Sequence, residues 1–363
     1  MKILHILYSG LGGHANVFFS MVKADKDKEF EQEALFNGVE ELREEYKELC
    51  RKNSIAFSFV KKKSGLDIKF YKELIRHIKK ADPQIIFLHA SSNIIPAKVA
   101  AVFSMGKKKI IVRETQANAL KTKKEWSWLR TAMLTADKII FLSELYNEEV
   151  KVRFGRNYKA QKISIIPNGI DLETYSPVEK KSTEEIVLGM LSRVIIIKDH
   201  ISLLQAIALL KQQQPGLQLK LRIAGDGENR QTLEDLASEL NIDDHVEFTG
   251  TLNQKELLTF IQSLDIYIHA SLGETMSTAI MQAMACKKTI IASDVAGINN
   301  MIVQNVSGLL VPVKDPGSLA AAIQQLIDNK ELAIKLANNA YQFSLDNYSN
   351  TVMFNRYKKI FNS

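Results

Sequence analysis

Cysteine is scarce: only Cys50 and Cys286 occur in 363 residues, in different halves of the chain. They form neither a zinc-ligand spacing nor a redox pair, and a reducing, cytoplasmic setting follows. Long apolar runs are missing too. No segment approaches the roughly 18 uninterrupted apolar residues that a membrane span requires. The apolar stretch 1–8 stops at Ser9-Gly10 without a small-residue cleavage site, so it reads as a first strand and not as a signal peptide. There is no low-complexity segment. No zinc-finger or aromatic RNA-binding motif occurs, so nucleic acid is not an expected partner. Asp-x-Asp occurs once, as Asp25-Lys26-Asp27, within a charged stretch that reads as solvated surface.

Charge is plentiful and lopsided. The net +7 divides into 31 Lys and Arg against 19 Asp and Glu through residue 170, and 17 against 22 beyond it. A basic first half suits an anionic partner such as a membrane surface, and a lysine-rich solvated face fits the same numbers.

Short apolar runs alternate with helical patterns throughout. Strands are predicted at 2–7, 33–36, 55–59, 85–88, 109–112, 138–142 and 164–166, then at 187–191, 220–224, 246–249, 266–269, 289–292 and 308–311. Helical patterns between them, such as 201–213, 229–240, 254–263 and 316–327, imply parallel sheets covered on both faces. The order occurs twice, with turn chemistry at Pro167-Asn168-Gly169. The expected architecture is therefore α/β: two doubly wound, Rossmann-like domains facing each other across a cleft. Their expected extents are 1–170 and 171–349, with a helix at 350–363 returning to the first. In open parallel sheets, ligands bind beyond the carboxyl ends of the strands, so chemistry is expected there.

Ser9-Gly10-Leu11-Gly12-Gly13-His14 follows the first strand; its glycines allow close backbone approach, although the third glycine of a dinucleotide fingerprint is absent. Arg193 and Lys198 flank a loop after the first strand of the second half, and two cations there can grip a diphosphate. Gly225-Asp226-Gly227 forms a tight turn after the next strand. The stretch 271–285 is the most specific: it follows a strand and opens a helix that Ser277 or Thr278 can cap, with first-turn amides available to a phosphate. Glu274 stands just before that helix and Gln282 on it.

These motifs, with 166–171, 246–250 and 308–311, resemble in order the retaining glycosyltransferases of the GT-B fold, group 1 or family 4. The first half matches more loosely, through its glycine-rich turn, the strand ending at His89, and 136–140. The resemblance implies that Arg193 and Lys198 bind the donor diphosphate and that Glu274 contacts the transferred sugar. It implies a donor pocket with Gly12, Gly13, Gly225, Asp226, Gly227, Ser277, Thr278 and Gln282. It places His89 near the donor sugar and acceptor, and His14, Arg113 and Glu114 on the acceptor side. Gln282 stands where the family usually has glutamate, an exchange that costs about 1–2 kcal/mol of donor binding if uncompensated. No cofactor or metal is expected, since two cations fill the metal's usual task. The donor expected first is a UDP-sugar, with a GDP-sugar second; the acceptor is a glycan or lipid-linked molecule of surface polysaccharide synthesis.

Lys121–Arg130 holds both tryptophans among four cations. Trp126, Trp128, Lys123 and Lys124 therefore read either as a peripheral contact with an anionic inner membrane or as a helix packed on the core. Two alternatives to a transferase stay open: a nucleotide-sugar epimerase of the same fold, and a non-catalytic partner that holds a nucleotide sugar.

Overall fold

The computed structural model describes residues 1–10, 13–65, 67–178 and 185–363. Gly12 of the glycine-rich turn lies outside them, as does most of the charged stretch after Pro177. The chain forms two compact units, Met1–Ile170 with Asn350–Ser363, and Asp171–Ser349.

The first unit holds a seven-stranded sheet of β1 (Lys2–Tyr8), β2 (Glu31–Gly38), β3 (Ala56–Lys61), β4 (Ile85–Leu88), β5 (Lys109–Arg113), β6 (Lys138–Phe141) and β7 (Ile163–Ile165). Its order is β3-β2-β1-β4-β5-β6-β7, with neighbouring strands parallel. Because side chains alternate across a strand, each short apolar run feeds two cores. Leu4, Ile6, Ile86, Leu88, Ile110 and Val112 pack on one face against Leu74, Ala97, Leu129 and Met133. Ile3, Ile85, Phe87, Ile111 and Ile140 pack on the other against Val17, Met21 and the C-terminal helix Asn350–Phe361.

The C-terminal helix belongs to this unit because of its apolar face. Met353, Phe354, Tyr357 and Phe361 are buried, and Phe30 meets Phe354 and Phe361 edge to face at ring distances of 6.0 and 5.2 Å. Two further bonds hold the returning chain: the Asn350 amide donates to the Ile170 carbonyl at 2.8 Å, and the Gly169 amide to the Met353 sulfur at 3.0 Å.

The second unit carries β8 (Ile186–Leu191), β9 (Leu219–Ala224), β10 (Val246–Gly250), β11 (Ile266–His269), β12 (Thr289–Ser293) and β13 (Leu309–Val311). Their order is β10-β9-β8-β11-β12-β13, again parallel. In each sheet the strand order reverses beside the first strand, β1 or β8. That reversal opens a crevice at the carboxyl edge, where ligands bind in such folds.

Asp25 departs from the surface reading. It is buried, and its carboxylate accepts the Glu29 amide at 2.9 Å, the Phe30 amide at 3.2 Å and the Gln32 side chain at 3.2 Å. Three donors converging on one carboxylate explain its burial; it closes the turn before β2. No described helix is long and apolar enough to cross a membrane.

Replacing Phe354 by Ala removes a buried ring from the joint between helix and sheet. It should lower the unfolding free energy by about 3–5 kcal/mol, read by chemical denaturation. A loss under about 1 kcal/mol would mean that the helix is not integral to the first unit's core.

Candidate functional site

In the second unit the chemistry gathers beyond β8, β9 and β11. The loop after β8 is built around the turn after β9. The Ser192 amide donates to the Ala224 carbonyl and the Val194 amide to that of Asp226, each at 3.0 Å. Gly225 has φ +127°, and a Cβ there would collide with the Ser192 carbonyl; one on Gly227 would collide with that of Val194. Both glycines are needed for backbone to lie against backbone. Asp226 serves the turn itself, accepting the Gly227 amide at 2.7 Å. These contacts fix the backbone from which Arg193 projects into solvent. Its guanidinium makes no hydrogen bond or ion pair among the described residues and is available to an anion.

Lys198 lies at the other end of the same loop and forms an ion pair with Glu274. Glu274 also meets His269 Nε2 at 3.4 Å, and the Tyr267 hydroxyl lies 3.0 Å from His269 Nδ1. An ionised carboxylate has no proton to give, so the arrangement requires Nε2–H on the imidazole. That leaves Nδ1 to accept from the Tyr267 hydroxyl. The direction runs from Tyr267 through His269 to Glu274. Burial alone would raise the Glu274 carboxyl, but the His269 bond and the Lys198 charge hold it at about 2. It is ionised at any physiological pH. Burial keeps His269 below its ordinary range, against the pull of Glu274.

The helix Thr278–Ala285 begins four residues after Glu274. Ser277 caps it, and the cap hydroxyl accepts the Ile280 amide at 3.3 Å. The amides of Thr278 and Ala279 have no intrahelical acceptor, so they and the helix dipole favour an anion at this end. The Ser277 amide is turned to the Met301 sulfur at 3.3 Å. Gln282 is buried, and its side-chain amide donates to the Tyr175 hydroxyl at 2.8 Å. Tyr175 precedes β8, so a polar pair ties the start of the second unit to this helix.

The first unit buries most of its predicted residues. His89 is fully buried, with Nε2 3.1 Å from His5 Nδ1, and the His14 ring centre lies 6.0 Å from that of His89. His14 Nε2 sits 2.9 Å from Thr115 Oγ1. Arg113 is also buried: its guanidinium donates to Asn168 and lies beside Tyr357. The reason is strand alternation, which turns His5, His89 and Arg113 to the face covered by the C-terminal helix. Glu114 is buried on Lys121, 3.6 Å away. Of His89, His14, Arg113 and Glu114, only His14 is partly exposed. Gly13 opens the helix Gly13–Ala24.

The tryptophans are half-buried. Trp126 and Trp128 lie against the core of the first unit. Trp126 meets Phe154 edge to face and stacks under Arg153 at 4.1 Å, while Lys124 sits 5.0 Å over Trp128. Of the two lysines, Lys124 is thus held over an indole, and Lys123 is exposed. The partners that sequence reasoning missed are His269, Tyr267 and Tyr175. The first two read as ordinary members of an apolar strand, and the third lies in a linker.

Two family models match in tandem: glycosyltransferase family 4 over residues 11–174, and glycosyl transferases group 1 over 171–343. A D-inositol 3-phosphate glycosyltransferase of Corynebacterium urealyticum is 28% identical over 211 residues, 54% of this chain and 50% of that protein. The match thus spans about half the length of this relative. An uncharacterized glycosyltransferase of Methanocaldococcus jannaschii is 26% identical over 81% of this chain and 79% of its own. The crystal structure of Anabaena HepE in complex with UDP and glucose matches with a TM-score of 0.83 and 17% identity, covering 100% of this chain and 99% of that one. That likeness shows the GT-B fold.

The buried histidines generate a pH prediction. Burial lowers His5 to about 3 from 6.5, and burial with the Arg113 charge does the same to His14. Between these values the unfolded chain binds protons that the folded chain refuses, so stability falls as pH drops from 6.5 towards 3. A single such histidine contributes a slope of about 1.4 kcal/mol per pH unit. Denaturation of His5→Phe across this range should show a shallower slope than the wild type; an unchanged slope would mean that His5 is protonated in the folded protein.

Proposed function

The chain belongs to the glycosyltransferases of group 1 and family 4, and on that premise we propose that it moves a sugar from a nucleoside diphosphate sugar to a glycan or lipid-linked acceptor, with retention of configuration. The observation that carries this reading is the convergence of Arg193, Lys198, Glu274 and a helix N-terminus at the carboxyl edge of β8 and β11. A UDP-sugar is the proposed donor; the HepE complex with UDP and glucose supports that choice. The acceptor side falls to the first unit, with surface polysaccharide synthesis at the inner face of a membrane as the setting.

In this reading Arg193 and Lys198 hold the diphosphate, and the first-turn amides beginning at Thr278 face it. As the bond from the anomeric carbon to the phosphate oxygen breaks, its electron pair moves to that oxygen, where the two cations and the amides meet the new charge. Removing one such contact costs about 10²–10³-fold in rate, or about 2.7–4 kcal/mol. The acceptor oxygen bonds to the anomeric carbon on the face that the phosphate leaves, and its proton passes to the departing phosphate. Glu274 orients sugar hydroxyls by accepting their hydrogen bonds, and His269 keeps the carboxylate aimed. No metal is needed, because fixed cations supply the charge. A second reading, a non-catalytic nucleotide-sugar-binding protein, draws its support from Gln282, whose amide is engaged with Tyr175.

Thermal-shift measurements with UDP, GDP, ADP and their sugar conjugates, in the presence of a chelator, test the donor site. The UDP series should raise the melting temperature by linkage, and Arg193→Ala should remove the shift. No shift with any of these ligands at millimolar concentration would overturn the reading of this edge as a donor site. A second variant separates sugar from nucleotide: His269→Phe should leave UDP binding intact while weakening UDP-glucose about tenfold, roughly 1.4 kcal/mol. Equal weakening of both ligands would show that His269 supports the loop as a whole and not the carboxylate.

A further inference from the structure

Helix Ile94–Val102 has an unusual composition for its position. Its inner side buries Ile94, Pro96, Ala97 and Ala100. Its outer side is apolar as well: Ile95 is 54% exposed and Val102 65%, with Lys98 between them at helical spacing. The chain that follows adds Phe103 at 69% and Met105 at 88%. A surface helix normally turns polar residues outward, and large exposed side chains grouped in this way mark a contact surface.

The segment that carries this ridge holds charges of one sign. From residue 83 to residue 113 the chain has no Asp or Glu and holds Lys98, Lys107, Lys108, Lys109 and Arg113. Lys108 is paired with Asp82 at 2.7 Å, and Lys109 donates to the C-terminal residues. Lys98 and Lys107 are exposed and make no ion pair among the described residues. Lys162 joins them: its ammonium donates to the Leu134 carbonyl at 3.1 Å, and burial followed by the like charge of Lys98 lowers it from its usual range, against the pull of Asp137.

We infer that the ridge of Ile95, Val102, Phe103 and Met105, with Lys98 and Lys107, rests on an anionic lipid surface. The unpaired Lys98 and Lys107 meet lipid phosphates, and the apolar side chains between them enter the interfacial layer. A protein partner of matching chemistry would need a face both acidic and apolar. The surface is distinct from the one that the tryptophans suggest, since Trp126 and Trp128 sit on helix Lys123–Thr135, half-buried against the core. The inference deepens the lipid-linked reading of the acceptor and rests on it.

The test is sedimentation of the full chain with vesicles of phosphatidylcholine alone and of phosphatidylcholine mixed equally with phosphatidylglycerol, without nucleotide. Binding to the mixed vesicles only, weakened by salt, is expected. Lys98→Gln with Lys107→Gln should weaken it about fivefold per charge, Phe103→Ser with Met105→Ser should abolish it, and Trp126→Ala should leave it in place. The two lysines, Phe103 and Met105 are all exposed, and an unchanged melting temperature and UDP shift confirm an intact fold and donor site in their variants. No binding of the wild type at low salt overturns the inference, as does equal binding to both vesicle types, or binding that survives Phe103→Ser with Met105→Ser. A concentration-dependent dimer dissolved by that same pair also overturns it, since a second copy would then cover the ridge. Vesicle binding that fails beside a normal UDP shift refutes the surface and leaves the donor site standing; the reverse outcome refutes the donor site alone.

Discussion

The ion pair between Lys198 and Glu274 joins two loops that are 76 residues apart in sequence. Its formation depends on parallel strands delivering both loops to the same edge, one after β8 and one after β11, which are hydrogen-bonded neighbours. The pair is largely shielded from water, and it keeps two charges compensated while the site holds no anion. Removing one partner from such a pair leaves the other charge uncompensated and costs several kcal/mol when burial is deep. In the proposed function a nucleotide sugar would offer each member a replacement: the diphosphate for the ammonium, and sugar hydroxyls for the carboxylate. The loop that carries Lys198 is held by the glycine turn after β9, so the placement of the ammonium depends on the packing of this edge.

The two units solve the burial of polar groups in opposite ways. In the second, a carboxylate remains ionised because a lysine and a histidine compensate it. In the first, burial drives His5, His14 and His89 to the neutral form. Arg113 stays among them, tied to Asn168 and beside Tyr357. These contacts join the sheet to the segment that leaves the unit and to the helix that returns to it. The polar row beneath that helix therefore specifies how the chain ends pack, a role that strand alternation imposes on any polar residue at those positions.

Much of this is legible in the sequence. The parallel strands show as short apolar runs, and asking which charged residues follow a strand finds Arg193, Lys198 and Glu274. Turn chemistry finds Gly225 and Gly227, although not the carbonyls that they admit. Partners are the harder part. Nothing in a linker tyrosine suggests Gln282, and His269 lies within an apolar strand, so its bond to Glu274 emerges only once the chain is folded. Asp25 looks like surface because its neighbours are charged; three converging donors bury it. Tryptophan and lysine together suit an interface and a packed helix equally, and the half-buried indoles of helix Lys123–Thr135 rest against the core with one side still open, whereas the exposed apolar residues of helix Ile94–Val102 look like core in the sequence.

Calorimetric titration of UDP and UDP-glucose into the wild type and Glu274→Gln tests the central claim most directly. If Lys198 is held by Glu274 until a diphosphate takes it, losing the carboxylate charge should tighten UDP while weakening UDP-glucose, which loses its sugar contact. The two affinities should move in opposite directions. Both moving the same way, or neither moving, would contradict the exchange of partners on which this account of the donor site rests.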